Sequence, residues 1–327
     1  MKLGRMKRCV ICPDGFKETF SAREVAAAVS AEVREGGFEA VELPLADGGE
    51  GTLDVLLAGG GERRTATVAG PLGEPVEAEY GLLDDGRVGV VEMAQASGLT
   101  LVPEERRDAW AASTRGTGEL IAAAAADGAE RILVSVGGSA TTDGGAGALA
   151  ALVRVPVPPL TVLCDVANPY EDAAVVFGAQ KGADPETVER LTARLDEIAS
   201  TLPRDPRGVP MTGCAGGLSG ALWAAHGAQL VSGADYVLDL LGFDRLLGEA
   251  DLVITGEGRL DRQSAAGKVV GVVAGRCRAA GVLCVAVVGQ SALDESAAQA
   301  MGLADVIEAS TAPELREAGR AIAERHR

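Results

Sequence analysis

Short apolar runs alternate with stretches whose apolar residues recur every three or four positions, the pattern of an α/β protein built on a mainly parallel sheet. Arg8 to Pro13 reads as a first strand and leads through "DGFKETF" into a helix from Ala22 to Glu35. That helix opens on a capping box, Ser21 with Glu24 three residues on, and stops at Gly36 and Gly37. Ala40 to Leu45 predicts a second strand, followed by the loop "ADGGEG" and a short helix that ends at the triple glycine 59–61.

Between residues 62 and 98 the apolar positions alternate, with turn signals at Gly70-Pro71, Gly73 and Asp85-Gly86, so two or three antiparallel strands are expected. Helical spacing returns at "TGELIAAAAADG", Ile132 to Val136 is a buried strand, and "LTVLCDV" is another. Residues 186–202 set Val188, Leu191, Leu195, Ile198 and Leu202 on one helix face. A Pro/Arg-rich connector at 203–210 precedes a glycine-rich helix, a strand at Asp251 to Ile254 and the loop "TGEGRLDRQSAAGK". From Val269 the chain reads helix, strand (Leu283 to Val288), helix, strand (Asp305 to Ala309), helix. The two chain ends are alike in kind. They are expected to build one doubly wound parallel-sheet domain, residues 1–60 plus 265–327, with residues 61–264 inserted as a larger α/β domain whose sheet is mixed.

A length of 327 residues agrees with two domains, being more than one core usually fills. Hydrophobic residues make up 47%, yet no apolar run approaches the ~18 residues of a membrane span, and the amino terminus is too short for a signal peptide. A cytoplasmic, soluble protein with no membrane partner is expected. A net charge of −17 makes nucleic acid an unsuitable partner, because binding it needs clustered cations. A small anionic ligand would therefore need positive charge concentrated locally. The chain has only five lysines, and three of them, Lys17, Lys181 and Lys268, sit in short Gly- or Asp-containing stretches. A compact ammonium suits phosphate as a point charge. The six cysteines read as small buried core residues: Cys9 and Cys12 lie in a strand, whose period of two sends them to opposite faces, and no second C-x-x-C completes a zinc site. A Ser-His-Asp hydrolase would have to rely on His226, which has no motif around it.

The densest chemistry lies in "VSVGGSATTDGGAGAL", residues 134–149, where a buried strand runs through glycines and hydroxyls into a helix beginning near Gly145. Unpaired amides at a helix amino terminus attract anions, and glycine lets a phosphate approach the backbone. Gly137, Gly138, Ser139, Thr141 and Thr142 are the candidates to hold it, and Asp143 suits a magnesium ion carried on that phosphate. A merely tight strand-to-helix crossing is the competing reading, since no G-x-x-x-x-G-K-[ST] is present. Other strands end in the same way: Asp14 and Lys17 after the first, Asp47 and Glu50 after the second, Asp165 and Asn168 after "LTVLC", Glu257 and Asp261 in "TGEGRLD". In open α/β sheets ligands sit beyond the carboxyl ends of strands, so these loops suit metal-assisted phosphoryl transfer in one cleft.

The blocks "PDGFKETFSA", "PLADGGEGT", "VEMAQASGL", "STRGTGELI", "VGGSATTDGGAGAL", "CDVANPY", "FGAQKGA", "GCAGGLSGAL" and "TGEGRLDRQSAAGK", in this order, resemble the bacterial glycerate kinase type 1 family over nearly the whole chain. The resemblance implies a flavodoxin/Rossmann-like domain made from both chain ends and a larger inserted one, with the active site between them. It also implies ATP-dependent phosphorylation of (R)-glycerate, giving 2-phosphoglycerate in most members, with Mg2+ as the metal. On this reading Gly137, Gly138, Ser139, Thr141, Thr142 and Gly144 hold the nucleotide and Asp143 serves the metal, with Glu257 and Asp261 as second candidates for metal or base. Lys181 offsets transition-state charge, and Lys17 or Arg115 grips the glycerate carboxylate. Asp165 and Asn168 line the substrate, and Asp14 or Asp47 accepts the hydroxyl proton. The sequence leaves room for a homodimer. It departs from the family pattern at Gly15, Ala167 and Ala179, and the connection between Leu152 and Thr161 is shorter than the family's. Competing functions are a non-catalytic binder of an anionic metabolite, a kinase for a related small hydroxy acid, and a nicotinamide-dependent oxidoreductase; the last lacks G-x-G-x-x-G after the first strand.

Overall fold

A computed structural model describes residues 5–16, 19–262, 264 and 267–327. The chain divides into two compact units, Met1–Asp47 with Ala234–Arg327, and Gly48–Gly233.

In the first unit, strands β1 (Arg8–Pro13), β2 (Glu39–Glu42), β9 (Leu252–Leu260), β10 (Leu283–Ser291) and β11 (Asp305–Glu308) form a parallel sheet in the order β11-β10-β9-β1-β2. Cys9 to Pro13 of β1 is buried throughout, as a central strand covered on both faces must be. The helix Ala22–Glu35 carries the expected capping box, with Ser21 and Glu24 bonding reciprocally. It packs Val25, Val29 and Val33 against Cys9 and Ile11 of β1, together with Leu315 and Ile322 of the helix Ala312–His326. All six cysteines are free and buried.

In the second unit, β3 (Glu62–Ala69), β4 (Pro75–Leu83), β5 (Val88–Glu92), β6 (Arg131–Ser135), β7 (Leu160–Cys164) and β8 (Gln229–Ser232) lie in sequence order in one sheet. The β3-β4 and β4-β5 pairs are antiparallel and the rest parallel, so the sheet is mixed. Its core joins Val91, Ile132, Val134 and Val162 to Leu120 and Ile121 of the helix Arg115–Ala126 and to Leu218 and Leu222 of the segment Cys214–His226. That segment is broken near its start, where Ala215, Gly216 and Gly217 take left-handed φ values of 52°, 65° and 96°. The expected helix at 186–202 runs Pro185–Thr201 behind the cap Asp184, with Leu191 and Leu195 buried.

The units divide at 47/48 and 233/234, whereas the sequence places the junctions at 60/61 and 264/265. Two packings account for the difference. The helix Thr52–Leu57 sets Leu53 and Leu57 against Gly81 of β4, so residues 48–60 go with the second unit. The strand expected at Asp251 to Ile254 extends to Leu260 and lies between β1 and β10, which binds it to the first. No helix of the described residues is long and apolar enough to cross a membrane.

Candidate active site

In the second unit, the chain leaves β6 at Ser135 and enters the turn Gly137-Gly138-Ser139. Gly137 donates its amide to the Gly48 carbonyl at 3.0 Å. A methyl group on Gly137 would come within 2.5 Å of Gly49 Cα and 3.2 Å of the Asp165 carboxylate, so glycine is needed for this close approach. Gly138 adopts φ +75°, and its carbonyl accepts from the Leu99 amide at 2.8 Å. The amides of Gly138 and Ser139 have no partner among the described residues. These two are the partly exposed residues of the turn; Gly137 and Ala140 to Gly145 are buried.

Behind the turn lies Lys181, 2% exposed, at the end of the short turn Ala179–Lys181. Its ammonium donates to Ser139 Oγ at 2.8 Å and to the Thr141 carbonyl at 2.6 Å. Burial pulls its pKa down to about 8, against the opposing pull of the Asp165 and Asp143 carboxylates. A buried ammonium is thus tied to the Ser139 side chain and the Thr141 backbone of this turn.

Asp143 is also 2% exposed, and both of its oxygens are taken. Oδ2 accepts from Thr114 N (2.9 Å), Thr114 Oγ1 (2.9 Å), Gly147 N (3.1 Å) and Ser113 Oγ (3.4 Å), while Oδ1 accepts from Gly145 N (3.1 Å). Two helices, Arg115–Ala126 and Ala146–Leu152, start here without a side-chain cap from the residue before them. One carboxylate supplies both, since orphan amides and the helix dipole favour an anion at a helix start. Tyr170 Oη donates to the Gly144 carbonyl at 3.0 Å, and Gly144 N donates to the Gly216 carbonyl at 2.9 Å, which fixes the far side of the turn to the break in Cys214–His226.

In the first unit, acids gather at the carboxyl ends of the neighbouring strands β2, β1 and β9. Asp14 follows β1; its amide donates to the Gly256 carbonyl of β9 at 2.8 Å, and its carboxylate accepts the Gly15 amide at 2.7 Å. Past β2, Leu45 donates to the Pro13 carbonyl, which carries the chain along β1 to Asp47. Glu257 lies in β9, 6% exposed, with Oε1 buried and unpartnered among the described residues. Burial raises its pKa to about 7; a hydrogen bond with Ser264 and the charge of Lys268 oppose the rise, and Asp47 and Asp261 add to it. The Asp261 amide donates to Ser264 Oγ at 3.0 Å. No group of three or more His, Cys, Asp or Glu that could hold a metal ion exists among the described residues. Lys17 lies outside them.

These features can be set beside known proteins. The model of the glycerate kinase family matches residues 9–157 and 153–326. The chain belongs to the glycerate kinase family. It is 40% identical to a glycerate kinase of Halalkalibacterium halodurans over 87% of this chain and 86% of that one, and 38% identical to a glycerate 2-kinase of Escherichia coli over 80% of each. A crystal structure described as that of a glycerate kinase 2 from Salmonella typhimurium LT2 superposes with a TM-score of 0.82 at 36% identity, covering 98% of both chains. The two segments matched to the glycerate kinase family overlap at 153–157, inside the connection between Ala146–Leu152 and β7.

Several site expectations change once the geometry is known. Asp143 does not present a free oxygen to a metal: five donors point at it, and it fills the helix start that the sequence leaves for phosphate. Thr141 and Thr142 are fully buried; Thr141 Oγ1 donates to the Ala215 carbonyl, and Thr142 Oγ1 has no partner among the described residues. Of the six residues expected to hold the nucleotide, Gly138 and Ser139 are partly exposed and the other four are buried. Arg115 is on the surface, paired with Glu119 at 2.8 Å. Asn168 gives its backbone carbonyl to the Gly213 amide, and Asp165 lies beside Gly137. The sequence reading passes over Glu92, a buried acid at the end of β5. Its signal is visible in retrospect: a single charge closes the apolar run "VGVVE".

Proposed function

We propose that this member of the glycerate kinase family transfers the γ-phosphoryl group of ATP to the 2-hydroxyl of (R)-glycerate. The observation that carries the reading is the buried Lys181 ammonium, held within the Gly137–Thr142 turn by Ser139 Oγ and the Thr141 carbonyl. Phosphoryl transfer asks little covalent work of a protein: it needs in-line alignment and neutralisation of charge on the equatorial oxygens. The unpartnered amides of Gly138 and Ser139 and the ammonium behind them supply a donor-rich, partly dry surface for that charge.

The first unit provides the acids. Asp14 or Asp47 takes the proton from the glycerate hydroxyl as the bond to phosphorus forms, and Lys17 binds the glycerate carboxylate. Glu257, with its unpartnered Oε1, fits one end of a magnesium ion carried on the nucleotide, with Asp47 and Asp261 beside it. Magnesium is commonly held by one or two carboxylates plus substrate phosphates, which is what this arrangement offers. When bound, it shields charge between the phosphate groups.

The test is purified protein with ATP, Mg2+ and D-glycerate followed by phosphorus NMR. A 2-phosphoglycerate resonance is expected. A 3-phosphoglycerate resonance would move the site of transfer, and ATP hydrolysis or no reaction would overturn the function.

A further inference from the structure

The turn Gly137-Gly138 does not shape itself; it is moulded against the segment Gly48–Gly51. Gly137 donates to the Gly48 carbonyl at 3.0 Å, a methyl group on Gly137 would meet Gly49, and one on Gly138 would come within 2.7 Å of Glu50 Oε1. Gly48 and Gly51 hold φ values of 92° and 90°, which leaves this segment without local preference for one path. The helix Thr52–Leu57 that follows has no cap from its own preceding side chain. Two tethers fix the segment instead. Thr52 Oγ1 donates to the Gly49 carbonyl at 2.7 Å, and Glu92 accepts the Gly51 amide on Oε1 (3.2 Å) and the Leu53 amide on Oε2 (3.0 Å).

Glu92 is 3% exposed and pairs in register with Ser135, the last residue of β6 before the turn. The carboxylate therefore stands on the same pair of strands that launches the turn and holds the segment that backs it. A buried carboxyl group is costly to ionise, and a residue that served only to fill space there would be better replaced by an apolar one. Hydrogen bonds from the Gly51 and Leu53 amides are short-ranged and directional, which suits setting a backbone path.

We propose that Glu92 is a positioning residue for nucleotide binding, acting through Gly48–Gly51 on the turn Gly137-Gly138. The inference rests on the reading of that turn as the nucleotide-phosphate site. Glu92 itself lies behind the segment and need not touch ligand.

The experiment compares wild type with Glu92→Gln, which keeps the shape and one acceptor oxygen but sets an NH2 group against one of the two amides. Steady-state kinetics, calorimetric binding of ATP with Mg2+ and the thermal midpoint are measured on the same samples. Expected is a rise of about tenfold in KM and Kd for ATP, with KM for glycerate within about twofold of wild type and the thermal midpoint retained. An unchanged ATP affinity overturns the inference, and so does a parallel loss of both substrate affinities together with a lower midpoint. Should Glu92→Gln not fold, Thr52→Val loosens the same segment at its other tether; an ATP-selective rise of about threefold is expected and its absence overturns the inference. Calorimetry keeps the two readings apart: ATP binding that weakens in the variant while wild type makes no phosphoglycerate removes the proposed reaction and leaves the role of Glu92 standing.

Discussion

The two units end parallel strands in glycine turns beside acids, yet they treat buried charge in opposite ways. In the second unit both buried charges at the turn are partnered: Asp143 receives five donors, and Lys181 gives two bonds to the turn it supports. In the first unit Glu257 is buried with one oxygen unpartnered among the described residues, and burial raises its pKa against a Ser264 hydrogen bond and the charge of Lys268, with Asp47 and Asp261 adding to the rise. A buried charge held by several partners fixes a shape. An unsaturated one is costly until a cation or proton arrives. On the proposed function, the second unit would offer a preformed surface for anions and the first unit the groups that change partners during turnover.

The sharpest way to break this contrast is to remove Lys181. Lys181→Ala is expected to lower kcat by about 10²-fold or more, as loss of a preorganised charge at a transferring group does. The same side chain gives a sign for pH. Its pKa is lowered to about 8, so the charged form holds below that value and is lost as pH rises through it. Turnover of wild type is expected to fall on the alkaline side of about pH 8, and residual turnover of the alanine variant is expected to lack that inflection. Near-normal turnover in Lys181→Ala would make the ammonium a structural tie of the turn alone.

Asp143 comes next, and its effect belongs to stability. Asp143→Ala strands the amides of Thr114, Gly145 and Gly147 in a buried place, which costs on the order of 3 kcal/mol. A drop in thermal midpoint of roughly 10 °C is expected for a unit of this size. A magnesium ligand would behave differently, with the midpoint retained and the magnesium requirement raised. The comparison of saturated and unsaturated acids stands or falls on which of these two results appears.

Many elements were legible because each carries its own local signal, whereas β8 and the helices Gly233–Leu240 and Phe243–Leu247 were not. Ser21 with Glu24 marked a helix start, and the alternation in 62–98 marked antiparallel strands. The extent of β9 was not legible, because "TGEGRLD" has the glycines and charges of a loop and becomes strand only by pairing with Gln290 and Ser291 of β10 as well as with β1. The turn at 137–139 was visible as bare backbone after a buried strand. What it packs against was not, since Gly48–Gly51 and Glu92 are far away in sequence and meet it only in the fold. The surroundings of Asp143 were not legible for the same reason: an acid after hydroxyls and before a helix looks the same in sequence whether it faces a metal or, as here, accepts from Thr114.

The smallest expected effect concerns Arg115, the residue for which sequence and structure differ most. A guanidinium that grips a substrate carboxylate should be aimed and partly shielded, because an exposed ion pair contributes little. The Arg115 side chain is 60% exposed and already spans one turn of its own helix to Glu119 at 2.8 Å. Glu119 in turn accepts the Ala69 amide through its other oxygen at 2.8 Å, so the pair braces a helix against the end of β3. Arg115→Ala is therefore expected to change KM for glycerate by about twofold or less and to leave kcat alone, within the worth of a surface pair. A rise in that KM of tenfold or more, with ATP affinity untouched, would place Arg115 at the glycerate carboxylate and would require it to leave Glu119 when substrate binds.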